Sequence, residues 1–130
     1  MKTNVVVVDR DPIILNLFQD FLTKKGYDTL LLREPTFCEM YGDPFRVCGG
    51  GCCADILIME HRVVTIELLQ KQAVDGCRMD RRNKAMLSLF PVSKKANENS
   101  WLGCEWIEKP FRLGLITAWL EKCETRLQKC

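Results

Sequence analysis

Two short runs constrain this chain more than any other feature: Val5-Val6-Val7-Val8 and Ile56-Leu57-Ile58-Met59 are apolar at every position. A strand with one wet face alternates apolar and polar residues, whereas a strand in a parallel sheet covered by helices on both sides has no polar face. Each run ends on charge, Asp9-Arg10-Asp11 after the first and Glu60-His61 after the second. Between the runs lies helical periodicity. Asp11 can cap a helix and Pro12 fits its first turn, and Ile13, Ile14, Leu17, Phe18, Phe21 and Leu22 then recur at helical spacing until Gly26.

The alternation continues to the end of the chain. Tyr27 to Leu32 reads as a second strand, and Pro35 opens a short helix carrying Phe37, Cys38 and Tyr41 before Gly42-Asp43-Pro44 breaks it. After the strand at residues 56–59, Val64, Leu68 and Leu69 mark a helix ending near Gly76, and Ala85 to Leu89 is a fourth strand. Residues 93–100 are so polar that any helix there is short; Glu105 to Glu108 is a fifth strand. Phe111, Leu115, Ile116, Trp119, Leu120, Cys123 and Leu127 then define a long amphipathic last helix. Five strands alternating with five helical segments predict a (βα)5 chain of the α/β class, a doubly wound parallel sheet with helices on both faces. With 130 residues, one domain spanning residues 1–130 is expected.

Composition narrows the function classes. Lys plus Arg at 19 against Asp plus Glu at 17 gives +2, too weak and too evenly mixed to favour nucleic acid as a partner. The first apolar run is too short for a signal-peptide core and no run approaches the ~18 residues of a membrane span, so a cytoplasmic protein that does not enter a membrane is expected. In doubly wound sheets the ligand site lies outside the carboxyl ends of the strands. The residues to inspect are therefore Asp9, Arg10 and Asp11, Glu60 and His61, Ser88, and Lys109 followed by Pro110. His61, the single histidine, has no evident nucleophile to pair with and reads as loop surface.

In that order the motifs resemble the receiver domain of bacterial two-component response regulators, over essentially the full length. Val-Val-Asp9-Arg10-Asp11-Pro12 is similar to the family's acidic motif, and Asp55-Ile-Leu-Ile-Met-Glu60 to its third strand ending at the phosphoacceptor. Ser88 takes the place of the switch Thr or Ser, Lys109-Pro110-Phe111 that of the Lys-Pro-Phe after strand five, and Trp106 that of the switch aromatic. The resemblance implies a flavodoxin-like sheet in the order 2-1-3-4-5, an aspartyl phosphate formed at the end of strand three, and Mg²⁺ held by acids after strand one.

Two positions depart from that pattern. Glu60 stands at the phosphoacceptor, one methylene longer than aspartate, which displaces the carboxylate by more than ~1 Å, and in-line transfer tolerates such misplacement poorly. Arg10 stands where the resemblance places a direct Mg²⁺ ligand, so a hard-cation site loses a carboxylate and gains a guanidinium. Phosphorylation and Mg²⁺ binding are both expected to fail, with Arg10, Lys109, Asp9 and Glu60 forming a closed charge network instead. Glu60 is either a mimic of a phosphorylated aspartate or a tolerated acid in a pocket that has lost its task.

The eight cysteines are too few for a disulfide-built scaffold, which takes ~8–10% of residues. In a doubly wound sheet, Cys48, Cys52 and Cys53 before strand three, Cys77 before strand four and Cys104 before strand five all fall at the pole opposite the pocket, where Cys130 can join them. Three readings follow: a thiolate site for zinc or an iron–sulfur cluster, a redox pair, or free thiols, with Cys123 as core filler and Cys38 in helix packing or at the surface.

The expected function is therefore a receiver-like regulatory module, not an enzyme, that acts through a protein partner such as a histidine kinase or a downstream regulator. The resemblance places the contact face around Trp101 and Trp106, with the chain a monomer or weak dimer. The alternatives are a thiol- or metal-responsive sensor at the cysteine pole and a Mg²⁺-dependent phosphorylatable regulator.

Overall fold

The structure is a computed structural model, and it describes residues 2–38, 40–41, 48, 54–63, 66–74, 77–89 and 104–128. Five parallel strands form one sheet: β1 (Asn4–Val8), β2 (Asp28–Leu32), β3 (Ile56–Glu60), β4 (Lys84–Ser88) and β5 (Glu105–Glu108). The order is β2-β1-β3-β4-β5, as the flavodoxin-like expectation has it. Val5–Val8 pairs with residues 29–32 on one side and with residues 56–59 on the other, so both apolar runs are central strands.

Their lack of alternation has a direct cause: each face is covered. Val5, Val7, Ile56, Ile58, Ala85 and Leu87 pack beneath α1 (Pro12–Lys24) and α3 (Leu113–Gln128), against Phe18, Leu22, Ile116 and Leu120. Val6, Val8, Leu57, Met59 and Met86 point the other way, against Leu68 and Leu69 of α2 (Ile66–Val74) and against Cys38, Met40 and Cys104. Burying each such large apolar side chain contributes about 1.5–3 kcal/mol.

The caps behave as the sequence predicts. Asp11 Oδ1 accepts from the Ile13 N–H at 2.9 Å and Pro12 occupies the first turn of α1. At the other end the Gly26 and Tyr27 N–H groups return to the Thr23 and Leu22 carbonyls, a Schellman closure that needs the positive φ of 89° at Gly26. The last helix is tied to the turn before β4 by Arg126, whose Nε reaches Asn83 Oδ1 at 2.8 Å and whose Nη2 reaches the Arg82 carbonyl at 2.7 Å.

Three features differ from expectation. The segment after Pro35 is a pair of turns among the described residues, closed by Cys38 N–H to Pro35 O and Tyr41 N–H to Cys38 O, rather than a helix. Strand four runs one residue earlier, so that Lys84 is inside the sheet and Leu89 is exposed. Phe111 precedes the last helix. Of the helix expected over residues 64–76, residues 66–74 are helical and the rest lie outside the described residues. The residues expected to form a short helix at 93–100 lie outside the described residues. Among the described residues, no helix is long and apolar enough to cross a membrane.

Candidate functional site

Asp9, Arg10, Asp11, Glu60, Ser88 and Lys109 stand just beyond or at the carboxyl ends of their strands, as the topology requires. Asp9 and Glu60 are each 2% exposed and Ser88 is fully buried, so the chemistry here is that of charge removed from water. Such carboxylates need partners, and each has them.

Lys109 reaches Asp9 from two strands beyond β3. Its N–H is fixed by the Ser88 carbonyl at 2.6 Å, and its Nζ lies 2.8 Å from Asp9 Oδ2 in a pair buried on both sides. The Lys109–Pro110 peptide bond is cis. Asp9 Oδ1 accepts the Asp11 N–H at 2.9 Å, and Asp11 itself is occupied as the cap of α1.

Glu60 finds its partner inside its own turn. The Arg62 N–H donates to Oε2 at 2.9 Å and Arg62 Nε donates to Oε1 at 2.9 Å, while the Val63 N–H closes onto the Glu60 carbonyl. The Glu60 carboxylate holds the Arg62 guanidinium more firmly charged than usual, chiefly through this side-chain hydrogen bond. Arg62 is the residue that sequence reasoning missed. Its signal was present, a cation two residues past a strand-end acid, the spacing at which side chain and backbone can bind the same carboxylate.

The closed four-residue network is thereby corrected. Asp9 and Lys109 pair as expected, but Arg10 turns outward to Glu34, with Nη2 at 2.7 Å and Nε at 2.9 Å from Oε1. The reason is topological. β1 and β2 are parallel neighbours with Val8 opposite Leu32, so two steps on Arg10 meets Glu34, whereas β3 lies on the other flank of β1. Tyr41 also donates to Glu34, at 2.9 Å, and this bond, ahead of Arg10, holds the Glu34 carboxyl below the ordinary carboxylate range.

His61 lies in the turn after β3 and is partly exposed. Its side chain is 21% exposed, Nδ1 lies 3.3 Å from Glu60 Oε1, and its ring sits 5.7 Å from that of Trp106. Trp106 packs against the α2-side core, while Trp101 lies outside the described residues.

At the opposite pole, Cys77 and Cys104 line one cavity and Cys48 packs against the same core cluster. Cys52, Cys53 and Cys130 lie outside the described residues. Among the described residues, no group of three or more His, Cys, Asp or Glu is arranged to hold a metal ion. Cys123 is fully buried in the α3-side core and Cys38 in the α2-side core.

This arrangement of strands recurs in solved structures. A two-component response regulator from Clostridium difficile superposes with a TM-score of 0.68 at 18% identity, covering 97% of this chain and 98% of that one. The signal receiver domain of an HD domain-containing protein from Pseudomonas fluorescens Pf-5 gives 0.72 at 17% identity, with 100% of each chain covered. The chain has the receiver-domain fold. A Francisella response regulator receiver domain gives the same TM-score of 0.72 at 15% identity, covering 97% of this chain and 99% of that one. No protein-family model matches the sequence, and no curated protein sequence does.

Proposed function

We propose that this receiver-fold chain is a regulatory module rather than an enzyme, that Glu60 is not phosphorylated, and that its output is contact with a protein partner. The observation that carries the reading is the commitment of the three pocket acids. Asp9 is bound by Lys109 and a backbone N–H, Glu60 by the side chain and backbone of Arg62, and Asp11 by the first turn of α1.

Mg²⁺ prefers near-octahedral oxygen coordination through one or two carboxylates, and to enter here it would have to displace Lys109 or Arg62. With Arg10 in place of a further acid, this donor set does not fit the ion. A carboxylate already paired with a guanidinium is also a poor nucleophile toward a phosphoryl group, because the lone pairs that would attack are engaged.

A module without chemistry of its own works through its surface. Trp106, half-buried beside His61 and Glu60, links the pocket to the exterior, and aromatic anchors of this kind suit a protein interface. A histidine kinase or a downstream regulator is the partner class this reading implies, with the chain a cytoplasmic monomer or weak dimer. Incubation of the full chain with Mg²⁺ and a small phosphodonor such as acetyl phosphate, followed by intact-mass measurement, tests it. The expected spectrum shows no added phosphoryl mass, and tryptophan emission does not respond to Mg²⁺. A Mg²⁺-dependent phosphoryl adduct overturns the reading and favours a phosphorylatable regulator.

A further inference from the structure

β4 begins on a lysine that the sheet buries. Lys84 is 3% exposed and stands where the last polar residue before a strand is ordinarily solvated. Its Nζ donates to Gln72 Oε1 at 2.7 Å and to Cys77 Sγ at 3.5 Å, and Gln72 Nε2 donates in turn to Cys38 Sγ at 3.3 Å. Among the described residues, no carboxylate is paired with Lys84. A buried ammonium without a counter-charge is costly, so an anion is expected beside it.

Lys84, Gln72, Cys77, Arg81 and Cys104 line a cavity of about 130 Å³. The two thiols in it differ. Cys104 is buried, and burial pushes its thiol up to about 11 despite the nearby Lys84 and Arg81 charges, so it stays protonated at neutral pH. Cys77 is partly exposed and is the sulfur to which the ammonium donates. Thiolates beside a cation in a partly open site are the reactive ones.

We propose that Cys77 is a modification site: a thiolate paired with the Lys84 ammonium that reacts with hydroperoxides and soft electrophiles entering this cavity. With hydrogen peroxide, a sulfur lone pair attacks one peroxide oxygen, the S–O bond forms and the O–O bond breaks. The leaving hydroxide takes a proton from Lys84 and departs as water. Sulfur is oxidised by two electrons to a sulfenic acid, the peroxide is reduced, and Lys84 regains its proton from solvent. The site lies at the amino ends of β4 and β5, away from Asp9 and Glu60, and does not depend on the receiver reading.

Competition for limiting iodoacetamide at pH 7 on the reduced full chain, resolved cysteine by cysteine through peptide mass mapping, tests it. Cys48 is also partly exposed and serves as the internal reference. Cys77 is expected to react ~10-fold faster than Cys48, and Lys84→Met is expected to bring the two rates together. Sulfenate trapping with dimedone after peroxide treatment is expected to label Cys77 in the wild-type chain and to lose that label in Lys84→Met. Equal rates at Cys77 and Cys48 in the wild-type chain overturn the proposal whether or not the variant folds, as does a fast Cys77 that Lys84→Met leaves unchanged.

Discussion

The two ends of this sheet treat buried charge in opposite ways. At the carboxyl end, Asp9 and Glu60 are buried anions, each bound to a cation within 2.9 Å. At the amino end, Lys84 is a buried cation whose described partners are an amide oxygen and a sulfur. Carboxylates remain charged at neutral pH unless their environment is strongly apolar, so the first end needs permanent counter-ions. The carboxyl end is therefore a fixed network of paired charges, and the amino end holds its cation with no carboxylate among the described partners.

Breaking the fixed network is expected to give the largest effect. Lys109→Met keeps the length and the apolar stem of the side chain but strands a buried Asp9 carboxylate, which costs about 3–5 kcal/mol when a buried partner is removed. A urea midpoint that falls with an unchanged slope is the expected result, read by far-UV circular dichroism. A stability loss below ~1 kcal/mol would mean that solvent or another cation reaches Asp9, and the contrast between the two ends would weaken.

The same substitution at the other end is expected to behave differently. Lys84→Met removes a buried ammonium whose described partners are an amide oxygen and a sulfur, not a carboxylate. Replacement of a buried charge by a well-packed apolar group is often neutral or stabilising, and a gain between zero and ~2 kcal/mol is expected here. A loss of the size expected for Lys109→Met would show that Lys84 has a carboxylate partner in solution.

How far the sequence reached follows the same line between topology and charge pairing. The unbroken apolar character of Val5–Val8 and Ile56–Met59 dictates strands covered on both faces, and the strand ends then gather Asp9, Glu60, Ser88 and Lys109 without further information. Which cation meets which anion is decided by one rotation of the backbone past the strand end. Arg10 and Arg62 each lie within two residues of a pocket acid, yet one is carried toward β2 and the other is folded back by a turn. That β4 begins at Lys84 and not at Ala85 has a related reason. Polarity at a strand boundary ordinarily signals solvent, and only the arrival of Gln72 from α2 and Cys77 from the preceding loop makes its burial tolerable. The Pro35 segment shows a third limit: apolar spacing over six or seven residues does not distinguish one helical turn from two successive turns.

Within the carboxyl end the two anions also differ, and Arg62→Ala sharpens that difference. Arg62 approaches from solvent, while Glu60 keeps the Arg62 backbone N–H and the neighbouring His61 ring nitrogen when the guanidinium is removed. The expected midpoint shift is smaller than that of Lys109→Met. Equal losses in the two variants would place Arg62 on the same footing as Lys109.

The smallest effect belongs to Arg10, the residue that leaves the pocket for the surface. Its pair with Glu34 is exposed, and pairs of this kind add little to stability, so Arg10→Ala is expected to leave the urea midpoint unchanged within error. Its trace should instead appear in the titration of Glu34. The Tyr41 hydrogen bond is the largest single cause lowering the Glu34 carboxyl, and Arg10 lowers it through both a hydrogen bond and its charge, so Tyr41→Phe and Arg10→Ala should each raise its titration midpoint, as read by carboxyl carbon NMR. Since the folded value is depressed, the linked stability is present above the ordinary carboxylate range and fades as pH falls through the lowered folded value. No shift in Arg10→Ala would show that the tyrosine bond alone holds the Glu34 carboxyl down. A larger shift from Arg10→Ala would return weight to the ion pair over the tyrosine bond. A parallel effect of Arg10→Ala on Glu60 would draw Arg10 back into the pocket and erase the distinction between inward and outward cations.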